Sequence, residues 1–192
     1  DNAIYFSGSS NNLVERCEIY SNQGDAIQVW STGPSADNNI IRLNKVHDLT
    51  DQNGTKIQGI VVGKGNNNQV YNNIVYRIKS SVSGLCCGGI QITTNATNTK
   101  VYNNTVYDID SQGIYIDPQA GSGNIVRNNI AYQNSEGNIV NEGGGAVSNN
   151  LTTNPSFVSA AANDFHLQSI SPAINTGTTL TEVTTDFDGV SR

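Results

Sequence analysis

Short runs in which β-branched or aromatic residues alternate with other residues recur along the chain. The run Gly59-Ile-Val-Val62 returns as Gly89-Ile-Gln-Ile92 and Gly113-Ile-Tyr-Ile116, and variants occur as Ala3-Ile-Tyr-Phe6 and Ala26-Ile-Gln-Val29. A period of two residues is typical of strands, and no window of a dozen residues carries the apolar stripe of a helix. The pattern therefore predicts a chain of short strands separated by turns.

A second element alternates with the first. Val70-Tyr-Asn-Asn-Ile-Val-Tyr76 returns as Val101-Tyr-Asn-Asn-Thr-Val-Tyr107 and Val126-Arg-Asn-Asn-Ile-Ala-Tyr132, and fainter copies begin at Val14, Ile41 and Val147. Copies that recur every 20–50 residues imply an array of stacked repeats. Stacked strands lie about 4.8 Å apart. The sequence thus predicts an all-β, single-stranded parallel β-helix of about six coils, each with two or three short strands.

The alternation assigns each side chain to the core or to the surface. The residues predicted to fill the core are Ile27, Val29, Ile60, Val62, Ile90, Ile92, Ile114 and Ile116 in the first element, and Val70, Val75, Ile78, Val101, Val106 and Ile109 in the second. Gln28, Val61, Gln91 and Tyr115 are predicted to point outward from the first element.

Asparagine recurs at one position of the second element, as Asn44, Asn73, Asn104, Asn129 and Asn150. Asparagine tolerates left-handed backbone geometry, and its amide can bond neighbouring backbone groups. Equivalent amides of successive coils can also bond one another, as in the amide ladders of cross-β stacks. We interpret these residues as structural.

Composition narrows the range of partners. Charged residues make up 14% of the chain, against a usual ~25%, so amides and hydroxyls must cover the surface. A neutral polar surface suits a secreted protein that meets sugars. The net charge of −6 argues against nucleic acid, which requires a basic patch. An acidic polysaccharide would require a bridging cation such as Ca²⁺.

Features of the whole chain bear on its location and on whether it is part of a longer protein. No apolar stretch approaches the ~20 residues of a membrane span, and no signal peptide is present. The chain begins inside a repeat, and an uncapped coil would expose strand edges. We therefore expect it to be part of a longer protein with further coils or domains. Of the three cysteines, Cys17, Cys86 and Cys87, two or three are expected to be free thiols.

The C-terminal part has a different character. Residues 1–153 are assigned to the coils, and residues 154–192 to a C-terminal cap and tail of the same domain. The apolar residues expected to cover the open end of the last coil are Phe157, Phe165, Leu167, Ile170 and Ile174.

The Gly-Ile-x-Ile and Asn-Asn-x-Val-Tyr units, with the ending Asn154-Pro-Ser-Phe157 to Asp186-Phe-Asp-Gly189, resemble the right-handed parallel β-helix superfamily of secreted, pectate-lyase-like bacterial proteins. The superfamily includes polysaccharide lyases, uronate epimerases, glycoside hydrolases, tailspikes and adhesins. The resemblance implies a right-handed coil and a secreted or cell-surface location. Tyr115-Ile-Asp-Pro-Gln119 resembles the Asp-Pro-His region of mannuronan epimerases. Tyr115 and Asp117 carry over, whereas the histidine position holds Gln119.

The outward face of the first element is the predicted ligand surface. Its candidate substrate-binding residues are Trp30, Gln28, Gln91, Thr93, Tyr115 and Asp117. Aromatic and amide groups repeated once per coil can stack on sugar rings and bond them. An exposed tryptophan is uncommon without a partner, although Trp30 could instead lie under its own loop. Asp25 and Asp117, on separate coils, are a further possible acid–base pair.

Candidate catalytic residues are Tyr115, Asp117, His47 and Lys64. A lyase or epimerase needs a base to take the C5 proton and an acid to protonate the leaving oxygen. His47 occupies the repeat position held elsewhere by tyrosine, so it could equally belong to an aromatic stack. Lys64 could equally be a solvated loop residue. No metal ligand set is recognised.

Two functions therefore stay open. The first is an extracellular module that binds polysaccharide along its outward sheet face. The second is a polysaccharide lyase or uronate C5-epimerase that acts on an acidic glycan. The scarcity of Lys, Arg and His favours the first.

Overall fold

In the computed structural model, which describes residues 2–51, 54, 56–79 and 88–192, the chain winds into a three-sided parallel solenoid. Sheet A contains β1 (Ile4–Ser7), β4 (Ile27–Trp30), β7 (Ile60–Gly63), β10 (Ile90–Thr93), β13 (Ile114–Ile116) and β16 (Ile139–Asn141). Sheet B contains β2 (Leu13–Glu15), β5 (Ile40–Arg42), β8 (Gln69–Tyr71), β11 (Lys100–Tyr102), β14 (Ile125–Arg127) and β17 (Ala146–Ser148). Sheet C contains β3 (Glu18–Tyr20), β6 (Lys45–Thr50), β9 (Ile74–Lys79), β12 (Thr105–Ile109) and β15 (Ile130–Tyr132).

The predicted all-β parallel solenoid is therefore confirmed. Among the described residues, sheets A and B have six strands each and sheet C has five. The first repeated element forms sheet A, and the second bends at its Asn-Asn pair to give one strand of sheet B and one of sheet C. Equivalent residues pair in register, as in Val70 with Val101 and Val75 with Val106. Each coil thus has three strands where sheet C continues.

The core fills the space between the three sheets. The residues predicted to be core, among them Ile27, Ile60, Val75 and Val106, are fully buried and form one continuous cluster. This confirms the alternation read from the sequence. Because each β-branched side chain packs on its equivalent in the next coil, the core repeats along the axis rather than closing around a centre.

The recurring asparagines sit at the corner between sheets B and C. Asn73 donates from both its backbone N–H and its Nδ2 to Oδ1 of Asn104, at 3.0 and 2.9 Å, and Asn104 does the same to Asn129 at 2.9 and 3.0 Å. Nδ2 of Asn104 also donates to the carbonyl of Val70 at 2.9 Å. We call Asn44, Asn73, Asn104, Asn129 and Asn150 the asparagine column. Each inner amide therefore joins three coils.

The left-handed residue of this corner is the one before the column. Leu43, Asn72, Asn103 and Asn128 have φ between 53° and 58°. The prediction gave this conformation to the column residue itself, and that assignment is wrong. The first asparagine of each Asn-Asn pair makes the sharp bend, which an L-residue other than Asn or Gly adopts at a cost, and the second makes the hydrogen bonds.

The C-terminal segment wraps around the coils. Its hairpin of β18 (Phe157–Ser159) and β19 (Asp164–Leu167) surrounds a short 3₁₀ turn, Ala160–Ala162. Phe165 packs on Tyr76 and Tyr107, on the outward side of sheet C, with ring centroids 4.8 and 5.6 Å apart. The expectation that Phe157 and Phe165 cover the open end is wrong. These phenylalanines pack instead on the aromatic rings of sheet C.

The tail continues onto sheet B. Val183 and Leu180 pack against Tyr71 and Tyr102, and Lys100 pairs with Glu182 at 3.0 Å. The hairpin and the tail thus cover parts of two of the three outward faces. Cys17 is a free thiol, whereas Cys86 and Cys87 lie outside the described residues.

Candidate functional site

The outward face of sheet A carries the predicted ligand surface. Register pairs Tyr5 with Gln28, Gln28 with Val61, Val61 with Gln91 and Gln91 with Tyr115. These residues alternate with the core isoleucines and valines, so they point outward as predicted. Trp30 and Thr93 lie two positions further along their strands, and Asp117 directly follows β13.

The face is open at its two ends and closed in its middle. Tyr5 is 46% exposed, and Gln28, Trp30 and Tyr115 are half-buried. Gln91 and Thr93 are 4% and 7% exposed. The expected unbroken row is therefore two patches. The side chains of Gln91 and Thr93 are therefore buried between neighbouring coils and do not face solvent.

Trp30 packs against the next coil. A Cβ built on Gly63 would come within 2.3 Å of its Cε3 atom, so the indole ring occupies the space that Gly63 leaves empty. The ring therefore packs on the neighbouring strand. Trp30 is half-buried, so part of its side chain is accessible to a ligand.

A chain of hydrogen bonds links the two patches. The backbone N–H of Gln58 donates to Oδ1 of Asp25 at 2.9 Å. The Gln58 side chain donates to Oε1 of Gln91, and Nε2 of Gln91 lies 3.4 Å from Oδ2 of Asp117. Oδ1 of Asp117 accepts the N–H of Gln119 at 2.7 Å, which closes the turn after β13. The buried amides thus hold both carboxylates in place.

Asp25 and Asp117 are too far apart to act on one bond. Asp25 precedes β4 and Asp117 follows β13, three strand spacings away, so at ~4.8 Å per step they are separated by about 14 Å or more. Carboxyl groups that flank one glycosidic bond lie about 5–9.5 Å apart. The suggested acid–base pair is therefore excluded.

Tyr115 has an acidic partner that the sequence did not reveal. Its hydroxyl donates to Oε2 of Glu142 at 2.6 Å. Glu142 directly follows β16, the sixth strand of sheet A. That strand was missed because its glycine, Gly137, stands two residues before Ile139, whereas in the three preceding coils glycine directly precedes isoleucine. A search that allowed glycine to stand one residue further from isoleucine would have found this strand.

His47 lies on a different face. Its ring stacks between Tyr20 and Tyr76 on sheet C, with centroids 5.4 and 4.9 Å apart and planes within 13°. Nδ1 lies 2.6 Å from Oδ2 of Asp48, and Nε2 lies 3.1 Å from Oε1 of Glu18. The predicted aromatic stack is therefore confirmed, and it places His47 away from the candidate ligand surface of sheet A. Lys64 follows β7 at the rim of sheet A, with φ of 54°.

The family model for the right-handed beta helix region matches residues 1–157. The chain belongs to this family. The solenoid is accordingly right-handed, as the resemblance implied. No curated protein sequence matches the chain significantly.

The chain is also similar to solved structures of other proteins. The periplasmic alginate epimerase AlgG superposes with a TM-score of 0.63 and 17% identity over 80% of this chain, and a double mutant of AlgG gives 0.64 with the same identity. Pectate lyase Pel9A covers 88% of the chain with 13% identity and a TM-score of 0.45. At 17% identity the likeness to AlgG concerns the fold. The match spans 36% of the length of AlgG.

The described part of this beta helix shows neither a metal cluster nor a spanning helix. No three His, Cys, Asp or Glu side chains within it come together as a cation would require. None of its helices has the length and apolar character needed to cross a bilayer.

Asp25 is the most perturbed of these groups. Burial raises its pKa to about 6, although the N–H of Gln58 stabilises the carboxylate. The free energy of folding is then most favourable below about pH 4, and part of it is lost as the pH rises through about 6. A carboxyl group whose pKa is raised in this way is typical of functional sites.

We expect Asp25→Asn to be more stable than the wild type at pH 7 by about 1.5 kcal/mol. A shift of two pKa units corresponds to about 2.7 kcal/mol, and solvent screening of the partly exposed carboxyl reduces this. Urea unfolding at pH 7 and at pH 3.5 measures the difference. The two proteins should converge at pH 3.5, and an equal gap at both pH values would contradict the perturbed carboxyl.

Proposed function

We propose that the chain is a polysaccharide-binding module whose ligand lies across the coils on the outward face of sheet A. One observation carries the proposal: the C-terminal segment packs on sheets B and C, where Phe165 contacts Tyr107 and Val183 contacts Tyr102, and the rings and amides of sheet A lie outside this wrapping. A long polymer fits a surface on which polar and aromatic groups repeat at ~4.8 Å intervals.

The chemistry of the two patches suits sugars. Trp30 and Tyr5 present ring faces, which pack on the apolar faces of sugar rings, and Gln28 supplies amide hydrogen-bonding groups. At the other end Tyr115, Asp117 and Glu142 supply a hydroxyl and two carboxylates. Because carboxylates repel uronates, an acidic polymer would require Ca²⁺ between the two. A ligand of this kind fits our proposal that the module acts outside the cytoplasm, in the periplasm or at the cell surface.

The alternative is a lyase or uronate epimerase, and one contact favours it. A tyrosine whose hydroxyl donates to a carboxylate, as Tyr115 does to Glu142, can exchange a proton with a bound sugar. Asp25, with its pKa of about 6, could hold a proton near neutral pH, but it lies at the other patch. The likeness to AlgG supports the fold and leaves the choice to experiment.

Affinity electrophoresis in gels containing alginate, pectate or a neutral glucan, each with and without Ca²⁺, tests the proposal. We expect retardation by at least one polymer and no new ultraviolet absorbance from unsaturated uronate ends. Retardation by no polymer would refute binding. Release of unsaturated or epimerised product, abolished in Tyr115→Phe, would replace the binding function by the catalytic one.

A further inference from the structure

A groove lies on another face of the molecule, between sheet C and the C-terminal hairpin. Its volume is about 320 Å³, within the range of small-ligand sites. Tyr107 and Tyr132 form its floor, and Phe157 with Gln168 forms its wall. Neither the sequence patterns nor the polysaccharide face of sheet A accounts for it.

The groove exists because the ring column of sheet C changes its geometry. In the first coils Tyr20, His47 and Tyr76 stack with planes 7–13° apart, so their ring faces cover one another. Further along, Tyr107 and Tyr132 have centroids 6.3 Å apart and planes 36° apart. The splayed pair leaves ring surface open, and the hairpin turns this surface into one side of a concavity.

Two phenylalanines fix the orientation of the Tyr107 ring in the groove. Phe157 meets Tyr107 edge-on at 5.9 Å, and Phe165 packs on both at 5.6 and 5.2 Å. Phe165 is 9% exposed. Tyr107 is therefore held between two phenylalanines, and a ligand would meet a preformed surface instead of ordering a mobile side chain, which lowers the entropic cost of binding.

Polar groups converge on the open rings. Within the described residues, neither the hydroxyl of Tyr107 nor that of Tyr132 has a hydrogen-bond partner, and the exposed amide of Gln133 points to the same groove. Gln168 donates through Nε2 to the carbonyl of Phe157 at 2.8 Å, which fixes its side chain and leaves Oε1 for a ligand. These groups can each donate to or accept from a sugar hydroxyl.

The lining is uncharged. Its side chains are aromatic rings, amides, a hydroxyl and a methyl group. The charges next to Tyr107 belong to Asp108 and Lys79, which pair with each other at 2.7 Å. A charged ligand would lose hydration in the groove and find no opposite charge there. A neutral sugar would contact ring faces and hydrogen-bonding groups.

We propose that this groove is a second saccharide site, which binds one or two rings of an uncharged sugar against Tyr107 and Tyr132. The site is independent of the face of sheet A and selects a different chemistry. It would let the protein hold a neutral glycan on one face of the solenoid and a polymer on another.

Calorimetry of the full chain with cello-, malto-, manno- and xylo-oligosaccharides tests the site. We expect at least one to bind, and Tyr132→Ala to weaken that binding at least tenfold. Tyr132→Phe removes the hydroxyl alone and keeps the ring, so it should cause a smaller loss in a fold that is certain to persist. Tyr20→Ala, at the same repeat position four strands away, is the matched control and should bind normally.

Two results would overturn the site. The first is that none of these oligosaccharides binds. The second is that binding is lost in Trp30→Ala but kept in Tyr132→Ala and Tyr132→Phe, which would move the sugar to sheet A. Failure here leaves polymer binding by sheet A intact, because that is measured with Trp30 variants and polymers.

Discussion

Replacing Asn104 by alanine should lower the free energy of unfolding by about 4 kcal/mol. Its Oδ1 accepts two bonds from Asn73, and its Nδ2 donates to Val70 and Asn129, all in a fully buried corner. The variant leaves the buried N–H of Asn73 without its acceptor and removes one donor from the carbonyl of Val70. Each unsatisfied buried group costs about 1–3 kcal/mol, and the lost amide–amide bonds add to this.

Chemical denaturation of the variant measures the loss. The matched control is Asn66→Ala, an exposed asparagine that bonds the side chains of Thr97 and Asn98 at the surface, for which we expect at most about 1 kcal/mol. The half-buried end of the column, Asn150, should fall between them. Equal losses for Asn104 and Asn66 would show that the asparagine column does not hold the coils together.

Replacing Trp30 by alanine should weaken polysaccharide binding about thirtyfold. Aromatic anchors of a binding surface commonly contribute about 2 kcal/mol, which corresponds to that factor. Gly63→Ala should produce a similar loss with the indole still present, because the new methyl group would displace the ring from its seat. Competition binding with the polymer found by electrophoresis measures both variants.

The control for these variants is Tyr20→Ala. Tyr20 is 59% exposed and lies on sheet C, so its loss removes an exposed ring without touching sheet A. We expect its affinity for the polymer to equal that of the wild type. Normal binding by Trp30→Ala, or an equal loss in Tyr20→Ala, would contradict the assignment of the ligand to sheet A.

The fold could be predicted from the sequence because each coil repeats the same alternation of apolar and polar residues. Ile60 and Val62 alternate with Val61, and Ile90 and Ile92 alternate with Gln91, so one pattern read several times fixes the core. The Asn-Asn pair likewise marked a corner. The sequence could not show which asparagine of the pair makes the bend and which makes the hydrogen bonds, because both roles favour asparagine. Only the backbone conformation distinguishes Asn72 from Asn73.

The site was less predictable because exposure depends on neighbouring coils. Gln91 was assigned correctly to the outward side, yet it is buried by residues far away in sequence. Trp30 rests on Gly63, which no local pattern links to it. The hairpin position of Phe165 depends on a match between its ring and Tyr76 and Tyr107. Such contacts between distant residues are set by packing and leave no periodic signal.

The most direct measurement is a titration of the intrinsic fluorescence of Trp30. The chain contains one tryptophan, so its emission reports on the outward face of sheet A and on no other surface. With a polymer that retards the protein in gels, we expect a saturable change in emission at the concentrations at which binding occurs. Saturated binding with unchanged Trp30 emission would contradict the claim that sheet A holds the polysaccharide.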